Sequence, residues 1–128
     1  MLNGVFKLYG NSMGRLGRGP LKSREVKLLR DVKAEREEAV ESYLVRRCRA
    51  QGWLCLKFVS PGHRAVPDRL ILVGGGWLMF VELKRPGGKP RPDQLAMFRR
   101  FDRLGHPVHV VDSKQAVDEL MRGGGRFG

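Results

Sequence analysis

Acidic residues are scarce in this chain, cysteines scarcer, and long apolar runs missing. Thirteen Asp and Glu face 25 Lys and Arg, for a formal net charge of +12 and a pI near 10.7. That excess implies an attraction to polyanions, nucleic acid ahead of anionic membrane. The two cysteines, Cys48 and Cys55, have neither the spacing of a zinc site nor that of a redox pair, and are expected as buried free thiols in a reducing cytosol. No apolar run approaches the span of a transmembrane helix, and the N-terminus lacks the apolar core of a signal peptide, so no membrane partner and a cytoplasmic location are expected. There is no internal repeat.

What is present is enough for one domain: 128 residues, 41% of them hydrophobic. Residues 1–30 mix Gly, Arg, Lys, Asn and Ser without a sustained period and read as a basic, poorly ordered arm. Residues 31–122 read as the folded domain, and 123–128 as a flexible Gly-rich tail. Within the domain, Asp31 to Gln51 has helical composition and is closed by Gly52 as a cap. Trp53 to Ser60 reads as a strand, followed by a loop and a hairpin of two apolar strands around Gly74, Gly75 and Gly76. A second helix is expected from Pro92 to Gly105, with Met97, Phe98, Phe101 and Leu104 as its apolar stripe. A strand over Pro107–Val111 and a last helix follow, the latter capped by Asp112 with Gln115 and turning Val117, Leu120 and Met121 inward. Both faces of the hairpin are apolar, with Leu70, Leu72, Leu78 and Phe80 on one side and Ile71, Val73, Met79 and Val81 on the other. Helices should therefore cover both, giving an α/β sandwich around a mixed sheet of about four strands.

The hairpin carries the most informative residues. A three-residue Gly loop pairs Val73 with Trp77, Leu72 with Leu78 and Leu70 with Phe80, and sets Asp68 opposite Glu82; a two-residue loop would set Asp68 opposite Val81 instead. Opposed side chains have Cβ atoms roughly 4.5–5.5 Å apart, and like charges there are destabilising. A hard divalent cation shared by both carboxylates removes the conflict, with Lys84 beside it on the same face. Strand-end carboxylates reaching solvent, with Lys84 as a surface ion pair, account for the same spacing.

Further residues fit around such a centre. Glu41 lies on the face of Leu44 and Cys48 with no cation at its helical pairing positions, so it either turns toward the site or reaches past the apolar margin to water. Gln94, in the first turn of the second helix, either orients a site group or satisfies backbone N–H groups. Lys57 and the cluster Lys84, Arg85, Lys89 and Arg91 suit phosphate contacts, helped by the helix start near Pro92. His63 is a lone loop histidine, and His106 and His109 lack ligand spacing; none joins the candidate set.

Val66-Pro67-Asp68-Arg69, Phe80-Val81-Glu82-Leu83-Lys84-Arg85-Pro86-Gly87 and Pro92-Asp93-Gln94, in this order, resemble the VRR-NUC family of the PD-(D/E)xK nuclease superfamily, in particular its small stand-alone phage and prophage members. The likeness spans about Glu41 to Ser113. Ala65 stands where the family commonly has Gly. The resemblance implies a restriction-endonuclease-like αβββαβ core and a Mg²⁺- or Mn²⁺-dependent DNA endonuclease. Asp68, Glu82 and the Leu83 backbone carbonyl would be metal ligands, with Glu41 completing the site directly or through water. Lys84 would activate the attacking water and Gln94 would match the family's helical glutamine. Arg69, with the cations above, would contact DNA. It also implies structure-selective cutting of branched or junction DNA in repair or recombination, a homodimer, and the host bacterial cytoplasm. The competing readings are a basic DNA-binding module that does not cut, and a nuclease module that works with a helicase or recombination partner.

Overall fold

The computed structural model describes residues 19–124. Most of the expected arm and the end of the Gly-rich tail lie outside that range. The elements run α1 (Ser23–Ala50), β1 (Leu54–Lys57), β2 (Arg69–Gly74), β3 (Trp77–Leu83), α2 (Pro92–Arg103), β4 (Val108–Val111) and α3 (Lys114–Gly124). Helix α1 begins at Ser23 rather than Asp31. Glu25 in its first turn accepts the Lys22 backbone N–H at 2.9 Å, and Lys27 pairs with Asp31 one turn on, so local bonds carry the helix into a stretch whose composition suggested a coil. The chain divides into two compact units between Val32 and Lys33, and the sheet and the candidate site belong to the second.

In that unit the four strands stand in the order β1-β2-β3-β4, antiparallel through β3, with β4 parallel to β3. The parallel step requires a crossover, which α2 supplies. Val40, Leu44 and Cys48, spaced four apart on α1, seal one face of the sheet over Ile71, Met79, Val81 and Leu83, together with Val111 and with Val117 and Met121 of α3. Arg47 and Tyr43 of α1 both bind Asp118 of α3 at the margin of this layer. Gly52, at φ 76°, ends α1, and the Trp53 N–H returns to the Cys48 carbonyl at 2.9 Å.

The hairpin turn departs from the three-glycine loop. Gly75 and Gly76 form a two-residue turn between the paired Gly74 and Trp77, and Val73 is the extra residue of a bulge, so Val73 does not pair with Trp77. All three glycines have positive φ, which the turn and bulge require. Because the bulge adds one residue to β2, Leu72 still pairs with Leu78 and Leu70 with Phe80. Continued one step beyond β2, the same register sets Asp68 across from Glu82.

Four smaller expectations are corrected. Ser113, not Asp112, caps α3, its hydroxyl accepting the Ala116 N–H at 3.0 Å; Asp112 instead accepts the Gly87 N–H at 3.3 Å. Strand β1 stops at Lys57, short of Ser60, and Cys55 is half-buried where Cys48 is buried. The second face of the sheet is only partly covered: α2 packs Phe101 against Phe80, while Leu54, Leu56, Leu72 and Leu78 stay exposed. A 12-residue helix spans too little of the sheet to reach the edge strand. Ala65, buried before Pro67, keeps an ordinary backbone; among the described residues positive φ occurs only at glycine.

Candidate active site

Asp68 stands at the entrance to β2 and is fixed on both sides. Its Oδ2 accepts the Leu83 N–H at 2.8 Å, and its backbone carbonyl accepts the Phe58 N–H at 2.9 Å. The first bond ties the start of β2 to the end of β3, where Glu82 is 1% exposed. Glu82 Oε2 accepts from Gln94 Nε2 at 2.7 Å and lies 2.9 Å from Lys84 Nζ. Its other oxygen, Oε1, is buried without a hydrogen-bond partner. Burial pushes the Glu82 carboxyl above its ordinary value, the Lys84 hydrogen bond opposes that, and the charge of Asp68 raises it further.

Gln94 closes the arrangement. Its Oε1 accepts from Lys84 Nζ at 3.0 Å and from the Arg91 N–H at 2.9 Å, which leaves its Nε2 to face Glu82. Gln94 thus satisfies a backbone N–H at the start of α2 and hydrogen-bonds both Lys84 and Glu82.

Helix α1 brings two carboxylates to the same crevice, which is lined by Glu37, Glu41, Lys57, Phe58, Asp68 and Leu83. Glu41 is not free there. Arg69 of β2 reaches its Oε2 with Nη2 at 2.8 Å and Nε at 3.0 Å. The cation that α1 lacks comes from the sheet, and Arg69, its side chain only 12% exposed, is turned to Glu41 rather than to solvent. Glu37, one turn earlier, makes no hydrogen bond or ion pair among the described residues. Partial burial raises its carboxyl above the ordinary value, and the charges of Asp68 and Glu41 add to this while Lys84 and Arg85 oppose it. The sequence reading passed over Glu37, although its spacing of four from Glu41 puts both on one helix face.

Of the cations, Lys57 is exposed at the crevice and shares an adjoining cleft with Arg85, Lys33 and Glu37. Lys89 is exposed, and Arg91 is half-committed to Asp93, with Nε 3.1 Å from Oδ1. His63 lies away from the carboxylates, beside Phe58 and Phe80, and His106 meets the Phe80 ring edge-on at 6.1 Å.

No group of three His, Cys, Asp or Glu side chains stands in metal-binding array among the described residues. The oxygen groups here, the carboxylates of Asp68 and Glu82, are of the kind that suits a small hard cation completing its shell with water. The orphaned Oε1 of Glu82 is the local observation that fits such an ion, since a buried carboxylate oxygen without a partner is costly.

The architecture is thus the αβββαβα arrangement of a mixed four-stranded sheet, with paired carboxylates and a lysine at one end of its hairpin. Over 79 residues the chain is 49% identical to a protein of Acyrthosiphon pisum secondary endosymbiont phage 1 named "Putative nuclease p44", an alignment covering 62% of this chain and 85% of that one. A solved structure described as a VRR_NUC domain superposes with a TM-score of 0.65 at 36% identity, over 68% of this chain and 95% of the other. No family model matches the sequence. The chain belongs to the VRR-NUC family.

Proposed function

We propose that this protein is a metal-dependent DNA endonuclease that hydrolyses phosphodiester bonds at the centre formed by Asp68, Glu82 and Lys84. The observation that carries the reading is Glu82: a buried carboxylate within the field of Asp68, with one oxygen braced by Lys84 and Gln94 and the other left without a hydrogen-bond partner. The name of the phage relative and the family likeness support it.

Asp68, Glu82 and the Leu83 carbonyl would hold Mg²⁺ or Mn²⁺. Once bound, the ion neutralises phosphate charge and makes a water more acidic. Lys84, kept in place by Gln94, orients the attacking water and balances the negative charge that builds on the phosphate. Attack in line with a departing 3′-oxygen, which takes up a proton as it leaves, gives a 5′-phosphate and a 3′-hydroxyl. Glu37 is the α1 carboxylate available to the centre, and Glu41 acts through its clamp on Arg69. Lys57, Arg85, Lys89 and Arg91 bring in the DNA backbone against the repulsion of the acidic groups. Cutting both strands of a branched DNA calls for two such centres, which a symmetric pair of chains provides.

The test is cleavage of supercoiled plasmid and of a synthetic four-way junction with Mg²⁺, Mn²⁺ or EDTA, alongside Asp68→Ala. Metal-dependent cutting that disappears in the variant is the expected result. Salt-sensitive binding without cutting under every metal condition would establish the basic binding module instead.

A further inference from the structure

A second concavity adjoins the carboxylate crevice and is of a different character. Phe80 lies two residues before Glu82 on β3, on the same face of the sheet. Around its ring stand Phe58 at 5.5 Å, Phe101 edge-on at 4.9 Å and His106 edge-on at 6.1 Å. These rings shape a cavity of about 290 Å³, with Ser60, His63 and Arg100 at its polar margin. No acidic residue lines it. Its volume is at the low end for ligand pockets, ~300 Å³, which suits one planar ring better than an extended ligand.

Two observations say what covers this aromatic surface. The first is continuity: Phe58 lines both the cavity and the crevice of Asp68, and its N–H is bonded to the Asp68 carbonyl. The cavity and the crevice therefore share the Phe58 wall. The second is chemistry. Aromatic walls stack a base whatever its identity, Arg100 adds a cation for its π face, and the exposed Arg64 next to His63 suits the phosphate that follows.

We infer that this cavity receives one unpaired nucleobase of the DNA, next to the phosphate that is cut. The inference rests on the proposed nuclease reading and gives it a substrate class: DNA whose bases beside the scissile bond are already unstacked. A base held in a duplex must first be flipped out, at a cost that a branch point or bulge has already met.

Two readouts test this on the full chain. In EDTA, wild type is titrated onto a three-way junction carrying 2-aminopurine at successive positions from the branch. With Mg²⁺, cutting of that junction is compared with cutting of a perfect duplex. Arg100→Ala, on the exposed side of α2, and Ser60→Trp, which fills the cavity from its rim, are run in parallel. A position-specific change in fluorescence is expected, downward where the probe leaves an unstacked branch position to stack on the rings, together with a junction preference of about tenfold. Both should be lost in the two variants while duplex cutting stays within about twofold, because neither residue touches the carboxylates. Cutting by wild type with no fluorescence change, or with Arg100→Ala and Ser60→Trp both indistinguishable from wild type, overturns the cavity assignment and leaves the nuclease standing. A position-specific fluorescence change lost in Ser60→Trp, without cutting under any metal, supports the cavity and removes the catalytic reading.

Discussion

Arg69 grips Glu41 on a single carboxylate oxygen, with Nη2 at 2.8 Å and Nε at 3.0 Å, and so ties α1 to the strand that follows Asp68. Glu37, one turn earlier, has no such clamp and is coupled electrostatically to Asp68. The two glutamates should therefore respond differently to neutralisation. Glu37→Gln is expected to raise the metal concentration needed for cleavage by about tenfold, with unchanged or slightly greater stability, because it removes a repulsion. Glu41→Met strands a largely buried guanidinium and should cost about 1–3 kcal/mol in urea unfolding. Metal titration and unfolding on both variants decide it; the reverse pattern would give Glu41 the role in the centre.

Lys84 and Gln94 should separate cutting from binding. On the proposed mechanism Lys84→Ala removes the cation beside the reacting phosphate, and it is expected to lower single-turnover cleavage by about 10²–10³. DNA affinity in EDTA should fall only slightly, since one of many cations is lost. Gln94→Ala leaves Lys84 present but unbraced, for a smaller loss of about tenfold. Equal losses in binding and cleavage for Lys84→Ala would mean that it serves as a phosphate anchor alone.

The hairpin register and the pair Glu82 and Lys84 were legible in the sequence because strand alternation is strictly local. The bulge at Val73 was not, since three glycines suit either a three-residue loop or a two-residue turn with a bulge, and both set Asp68 across from Glu82. The clamp on Glu41 escaped for another reason. Counting helical neighbours finds cations three or four positions away, whereas Arg69 comes from another element, 28 residues on. Glu37 was visible as a partner of Glu41 on one helix face, but only the placement of Asp68 gives that face a meaning. Helix α1 started early because the Glu25 bond to the Lys22 N–H outweighs the coil-like composition before Asp31.

His109 gives the fold a defined sensitivity to acid. Burial holds its imidazole below the ordinary value of 6.5, so the folded chain takes up this proton less readily than the unfolded one. The stability it preserves is complete above 6.5 and is lost as the pH falls through 6.5 toward the folded value. Glu82 and Glu37, both raised, act in the opposite sense: the folded chain holds their protons more tightly, so their contribution is complete below the ordinary 4.5 and fades as the pH rises through their folded values. Comparison with His109→Gln isolates the histidine. Wild type should lose melting temperature more steeply than the variant between about pH 7 and about pH 5. Parallel curves would show that His109 titrates alike in both states.

The salt dependence of DNA binding sorts the cations that composition alone treats as equals. Lys57 and Lys89 are exposed and make no ion pair among the described residues, so each is available to displace counterions from a phosphate. Replacing either with Ala should shrink the slope of log K against log salt by about one. Arg91 shares its charge with Asp93, and Arg91→Ala should reduce the slope by less, because Asp93, left with only the longer contact to Arg64 at 3.8 Å, enters as a new repulsion. Arg69→Ala should leave the slope almost unchanged and lower stability instead, since its charge is already matched by Glu41. Binding isotherms in EDTA over a range of NaCl concentrations measure all four; a full unit lost with Arg69→Ala would mean that DNA draws the guanidinium away from Glu41 and that the clamp opens on binding.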